Sequence, residues 1–259
     1  MKTSFKNRKE RRIVVQIEPE KFTDKLVFIA HGLGGFKEQP HIQIFTEAFL
    51  ENNFTVVRWD SSNSIGESEG SIENATLTDY YDDFEDAIIW SKTQKWYREP
   101  FTLAGHSLGS ACAIIFAERY PQKVRSLAPI SAFLSGKSYY AFKKDDVKEW
   151  KKRGFTLEES NSKPGVVKKL SWKFMEDVLR YSLFEYAKKL TMPVLLIVGS
   201  QDQGTPYKDQ KKFLDNLASK QKELHVIKGA QHTFYDQKHL LEIKEIMKKW
   251  IKKTESQRK

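Results

Sequence analysis

The sequence predicts an α/β protein built on a mainly parallel, twisted sheet with helices on both faces. Three observations predict it. Short apolar runs rich in β-branched residues recur along the chain. Helical patterns lie between most of them. The runs are apolar at successive positions, so both faces of the sheet must be covered, as a parallel sheet requires. The length of 259 residues, with 39% apolar and 30% charged residues, suits one such domain carrying an insertion.

The predicted strands are RIVVQIE from Arg12, LVFIAHG from Leu26, TVVRWD from Thr55, FTLAGHS from Phe101, VRSLAPIS from Val124, PVLLIVGS from Pro193 and ELHVIKG from Glu223. RIVVQIE leads directly towards the next strand and reads as an antiparallel edge. Phe45, Ala48 and Phe49 share one helical face, as do Tyr81, Phe84, Ala87, Ile88 and Trp90, with a helix cap expected near Thr78. Leu214, Leu217 and Ala218 suit a further helix. Leu240, Ile243, Met247 and Trp250 line one face of a C-terminal helix with lysines opposite. That helix suits packing on the sheet better than lying on a membrane. Residues 133–190 break the alternation with more chain than one crossover needs. They read as a mostly helical cap insertion, turned at ESNSKPG, whose last helix is expected to rejoin a core formed by residues 1–132 and 191–259.

The formal net charge is +10, with basic residues gathered at both ends. No zinc-ligand spacing, basic-region heptad or RNP-type motif accompanies them, so a solvated lysine-rich surface is expected, not a nucleic-acid partner. No apolar run is long enough to span a membrane, and MKTSFKNRKERR lacks the apolar stretch of a secretory signal. Cys112 is the only cysteine, which excludes an internal disulfide and suits a reducing compartment. A cytoplasmic protein without integral membrane association is expected, and a homodimer is left open.

Two stretches, GESEG at Ser68 and GHSLG at Ser107, place a serine between glycines. A nucleophile on a sharp strand-to-helix turn needs a buried strand before it, a helix after it and small neighbours. FTLAGHSLGSACAIIFAERY meets each requirement around Ser107. Around Ser68, loop-like SSNSI precedes, two glutamates flank the hydroxyl, and a polar connection follows. Ser107 is therefore the candidate nucleophile, and Ser68 belongs to a surface loop.

A serine hydroxyl needs a base, and the base needs an acid that fixes its tautomer. The architecture places these in the order serine, acid, histidine, on loops after later strands. His232 follows the strand ELHVIKG at the correct end of the sheet, whereas His225 lies inside that strand and His239 in the last helix. Asp202 emerges where PVLLIVGS ends; Asp209 and Asp215 lie within the next helix. The developing oxyanion needs two backbone N–H donors. Leu108, at the start of the new helix, supplies one and Leu33, in HGLGG, the second. HGLGG lacks the Gly-Lys-Ser/Thr ending of a phosphate loop, and its spacing is not that of a dinucleotide fingerprint. His31 reads as a brace for this loop.

With HGLGG, GHSLG, GSQD and GAQH in order, nearly the whole chain resembles the α/β-hydrolases. Through HGLGGFKEQPH, VRWDSSNSIGESEG, LAGHSLG and MPVLLIVGSQDQGTP it resembles, more narrowly, the bacterial cinnamoyl and feruloyl esterase-like carboxylesterases. It departs from that subfamily at Leu108, where a glutamine often follows the nucleophile. The resemblance implies a Ser107–His232–Asp202 triad, a cap that shapes the acyl or aryl pocket, and hydrolysis of small carboxylic esters through an acyl-enzyme without cofactor or metal. Two alternatives stand beside it. One is a thioesterase or monoacylglycerol-type lipase with the same chemistry on longer acyl chains. The other is a non-catalytic ligand-binding protein on the same fold.

Overall fold

Residues that alternate between two apolar faces can only be buried by covering both, and the chain does so. The structure, a computed structural model, describes residues 1–160 and 162–256. Its main sheet has eight strands: β1 (Lys2–Lys6), β2 (Arg12–Glu18), β3 (Lys25–Ala30), β4 (Phe54–Trp59), β5 (Phe101–His106), β6 (Val124–Ile130), β9 (Val194–Gly199) and β10 (Lys222–Ile227). The spatial order is β1-β2-β4-β3-β5-β6-β9-β10. Strands β3 to β10 of this sheet run parallel, and β2 pairs antiparallel with both β4 and β1. RIVVQIE is thus antiparallel as expected but is not the edge. The edge is β1, whose charged KTSFK gives little strand signal because only Phe5 of it is buried.

Val27 and Ile29 face one side of β3, where α1 (Pro40–Leu50) and α8 (Gln237–Ser256) cover them with Ile42, Phe45, Phe49, Ile243, Met247 and Trp250. Leu26 and Phe28 face the other side, against α2 (Leu77–Ser91), α3 (Leu108–Arg119) and α7 (Tyr207–Asn216), which contribute Phe84, Ile88, Ile114, Phe116 and Phe213. Each fully buried side chain of this kind stabilises the fold by about 1.5–3 kcal/mol. The polar face of α8 is spent on ion pairs, Lys244 with Glu47 and Glu51 and Lys248 with Glu51, all at 2.7 Å. Two residues of the basic N-terminal stretch are also partnered: Arg8 meets Asp82, Glu85 and Asp86, and Lys9 meets Asp79, all on α2. The last residues of the basic C-terminus, 257–259, lie outside the described residues.

Three local expectations need correction. Helix α7 ends at Asn216, so its buried face carries Gln210 and Phe213; Leu217 reaches the core from the cap position and Ala218 is exposed. Thr76, not Thr78, caps α2 by accepting the Asp79 N–H at 2.9 Å. Thr78 instead gives its hydroxyl to Asp177 at 2.6 Å. The third correction concerns the segment between β6 and β9. Helices α4 (Gly136–Phe142), α5 (Lys144–Arg153) and α6 (Trp172–Val178) and a 3₁₀ stretch, Leu183–Lys189, are present. Between α5 and α6, however, the chain forms an antiparallel hairpin, β7 (Phe155–Glu159) with β8 (Val167–Ser171). Gly154 ends α5 at φ +78°, a conformation suited to glycine, and the chain leaves as a strand.

Candidate active site

Strand β5 enters Ser107 fully buried and α3 leaves it at once. The turn between them holds Ser107 at φ 53°, in the left-handed region where a non-glycine residue is strained. It is tolerated because the neighbours leave no alternative. A Cβ on Gly105 would stand 2.6 Å from the Gly109 carbonyl carbon, and one on Gly109 would stand 2.4 Å from the Ala30 carbonyl oxygen. Ser110 ties the turn to the next strand by donating its hydroxyl to Gly105 O at 2.7 Å and accepting the Ile130 N–H at 3.0 Å.

The structure brings Ser107, His232 and Asp202 together. His232 Nε2 lies 2.9 Å from Ser107 Oγ, and His232 Nδ1 lies 2.9 Å from Asp202 Oδ2. The ionised carboxylate can only accept, so Nδ1 carries the proton and Nε2 is left to accept from the serine hydroxyl. Asp202 is 4% exposed. Burial alone would raise its pKa, but His232 and the hydroxyl and N–H of Thr205 outweigh burial and hold it below the ordinary carboxylate range. Thr205 donates from Oγ1 to Asp202 Oδ2 at 2.7 Å and from its N–H to Oδ1 at 2.9 Å. His225 and His239 stand apart from this chain: His225 Nε2 meets Glu223, and His239 Nε2 meets Lys228 O.

Two residues that brace the site are not apparent from spacing alone. One is Thr205, three residues after Asp202 in SQDQGT; a short-range carboxylate-to-backbone turn is the signal that finds it. The other is His106, within the elbow itself. Its Nε2–H donates to the carbonyl of His232 at 2.9 Å, joining β5 to the loop that carries the candidate base across 126 residues. Burial first, then the nearby His232, lowers its pKa to about 3, so it stays neutral. His41 packs on it at 4.3 Å between ring centroids and is likewise held neutral by burial.

The HGLGG loop lies over the elbow. Gly32 is so close that a Cβ there would stand 3.1 Å from Ser107 Cβ. His31 Nε2 accepts the Ser61 N–H at 3.0 Å, which leaves Nδ1–H to donate to Gly32 O at 2.8 Å. Gly34 adopts φ +58° and gives its N–H to the Tyr80 hydroxyl, while Gly35 N bonds back to Gly32 O. Leu33 is positioned between these fixed points and lines the cavity beside Ser107. Leu108 opens α3, where the first amides of a helix have no intrahelical acceptor. Behind the loop, the fully buried Lys37 ammonium meets Asp60 at 2.8 Å. The GESEG loop serves this ion pair: Glu67 N–H donates to Asp60 at 2.8 Å, and Ser68 donates to Asp60 O at 2.6 Å.

Ser107 and His232 open onto a cavity of about 490 Å³, lined also by Phe133, Tyr139, Phe142, Lys143, Glu158, Lys168 and four glutamines, Gln39, Gln201, Gln203 and Gln231. A strained serine, an imidazole of fixed tautomer and a buried carboxylate, in contact at the rim of a parallel sheet, have the geometry that nucleophilic acyl transfer requires. The family model described as serine aminopeptidase, S33, matches residues 22–157 and 143–238.

The chain belongs to that family.

This S33 family member adopts the α/β-hydrolase fold. Among curated relatives it is 27% identical over 243 residues to the pyrrolizixenacetamide deacetylase of Xenorhabdus hominickii, covering 83% of this chain and 84% of the relative. Among solved structures it is similar to Est1E from Butyrivibrio proteoclasticus, determined with ferulic acid bound, with a TM-score of 0.77, 21% identity and coverage of 98% and 99% of the two chains. It is also similar to mouse alpha/beta hydrolase domain-containing protein 10, with a TM-score of 0.79, 18% identity and coverage of 98% and 99%. These two likenesses concern the fold. No helix among the described residues is long and apolar enough to cross a membrane.

Proposed function

We propose that this S33-family hydrolase is a serine carboxylesterase acting on small to medium carboxylic esters through an acyl-enzyme. The observation that carries the reading is the unbroken hydrogen-bond chain from Ser107 through His232 to Asp202 at the mouth of the cavity. His232 Nε2 takes the hydroxyl proton as Ser107 Oγ attacks the ester carbonyl. The Leu33 and Leu108 amides receive the oxyanion, and Asp202 balances the imidazolium. His232 then returns its proton to the departing alcohol. Water repeats the sequence on the acyl-enzyme and frees Ser107. Residues 1–132 and 191–259 form the catalytic core in this reading, and residues 133–190 act as a cap whose Tyr139, Phe142, Lys143, Glu158 and Lys168 complete the pocket.

The lining favours short or polar substrates over long acyl chains. Three charged side chains and four amides would be desolvated by a long hydrocarbon without gaining partners. That argues for an esterase ahead of a lipase-like or long-chain thioesterase activity, although a curated mouse relative, 25% identical over 179 residues, is named a palmitoyl-protein thioesterase. The test is a chain-length series of 4-nitrophenyl esters and acyl thioesters on purified protein, with Ser107→Ala as control. The reading expects turnover greatest for short oxygen esters and absent in the variant. Turnover that survives in Ser107→Ala, or that rises steadily to palmitoyl thioesters, contradicts it.

A further inference from the structure

One wall of the cavity is charged, and its charges do not cancel. Lys143, Glu158 and Lys168 all line the space that holds Ser107. Lys143 Nζ donates to Glu158 Oε1 at 2.6 Å. Lys168 Nζ lies 3.6 Å from Glu158 Oε2, within ion-pair range but beyond a hydrogen bond. Burial opposes the Glu158 charge, but the two lysines outweigh it and keep the carboxylate ionised. Two ammonium groups therefore face one carboxylate, and Lys168 has protons left to give. Its position is informative as well. The Lys168 stem lies over the HGLGG loop, where a Cβ on Gly34 would stand 2.7 Å from Lys168 Cδ and 3.6 Å from Nζ. This cation thus lies next to the loop that carries the Leu33 amide. The Lys168 and Lys143 side chains are only 18% and 20% exposed, so water screens them less than a surface charge. The surrounding field has the same sign: residues 133–190 hold 14 lysines and arginines against 8 acids, which is +6 of the chain's +10.

We propose that Lys168, supported by Lys143, forms an anion subsite that selects esters carrying a carboxylate a few atoms from the scissile carbonyl. The proposal rests on the esterase reading and names its substrate class. A carboxylate reaching this wall replaces water on Lys168 and completes the coordination that Glu158 leaves open. A cationic substrate meets net repulsion, and a neutral one gains nothing from the wall.

Two matched pairs of esters test it. For an anion on the acyl side, mono-4-nitrophenyl adipate is compared with 4-nitrophenyl hexanoate; on the alcohol side, 4-acetoxybenzoate is compared with phenyl acetate. In one pair at least, kcat/KM for the anionic ester is expected to exceed that for its neutral partner by about tenfold, an advantage that shrinks but survives between low and high salt because the lysines are mostly buried. Lys168→Met should bring the ratio towards one. Glu158→Gln should raise it, because it removes the carboxylate that competes with substrate. A lysine that only tethers the hairpin would not move the ratio in opposite directions in the two variants. Should Lys168→Met fail to fold, the salt dependence and Glu158→Gln still decide. Neutral esters turned over with both ratios at or below one overturn the subsite and leave the esterase reading standing. No turnover of any of the four esters removes both.

Discussion

Beneath Ser107 the backbone is fixed by contacts that leave no room for a single added carbon. A Cβ at Gly109 would meet the Ala30 oxygen at 2.4 Å, and one at Gly105 the Gly109 carbonyl carbon at 2.6 Å. Across the cavity the β7–β8 hairpin is held by long polar side chains: Gln39 Nε2 to Ser162 Oγ at 2.6 Å, Lys163 Nζ to Ile65 O at 2.7 Å, and Lys169 to Glu73 at 2.8 Å. Leu157 and Val167 on this hairpin stay more than half exposed. One wall is held by close packing, which forbids variation. The other packs through Leu170 and is otherwise held by partly buried or exposed polar side-chain contacts, which constrain it less tightly. One fold can thus fix the turn at Ser107 tightly while leaving the opposite wall of the cavity open to change.

The largest way to sharpen this contrast is on the reaction itself. Ser107→Ala should lower kcat by on the order of 10⁵-fold or more while leaving the thermal midpoint nearly unchanged, because the packing around the turn does not use the hydroxyl. Ester hydrolysis followed alongside a melting curve checks both halves. Next comes the same substitution placed in the two regions. Gly109→Ala should destabilise the fold by more than about 3 kcal/mol, since backbone must move. Gly165→Ala in the hairpin turn, at φ +81° with nothing within 4 Å, should cost only about 1 kcal/mol of backbone strain. Urea unfolding of the pair measures the contrast, and equal losses would break it.

A comparison of ion pairs gives a smaller effect and a pH signature. Lys37 and Asp60 are fully buried together, whereas the Lys169 and Glu73 side chains are 43% and 42% exposed. Burial opposes the Asp60 charge, but the His31 ring, the Glu67 N–H and Lys37 outweigh it and lower its pKa below the ordinary range. A carboxylate whose folded pKa is lowered stabilises the fold above its unfolded pKa, near 3.9, and the gain disappears as pH falls through the folded value. Asp60→Asn should therefore cost about 3 kcal/mol at pH 7, with the deficit closing well below pH 4. Smallest of all, Lys169→Met should change stability by less than about 1 kcal/mol at any pH. Denaturant titrations across pH read both.

The packed wall was also the legible one. Small residues at fixed spacing between a buried strand and an apolar helix are a local signal, and GHSLG carries it without help from the rest of the chain. The chain order of Ser107, Asp202 and His232 follows from where loops must lie on a parallel sheet, so those three residues were readable too. Residues whose partners are distant were not. His106 braces His232 only once β5 and the loop after β10 are neighbours. Strand β1 is specified by its pairing with β2, not by its own composition. The hairpin is the clearest case. VVKKLS can read as an amphipathic helix or as a strand, and the antiparallel partner FTLEE decides it. Lys168 reaches the cavity only because of that pairing, so the charged wall was invisible until the register was known.

The proposed chemistry requires Ser107, activated by His232, to be a nucleophile in the folded protein. Incubation with a fluorophosphonate probe followed by peptide mass spectrometry tests it directly. A stoichiometric adduct is expected on Ser107, lost in His232→Ala and on unfolding in urea. Folded protein that stays unlabelled at Ser107, or takes up the probe at Ser68 instead, would contradict it.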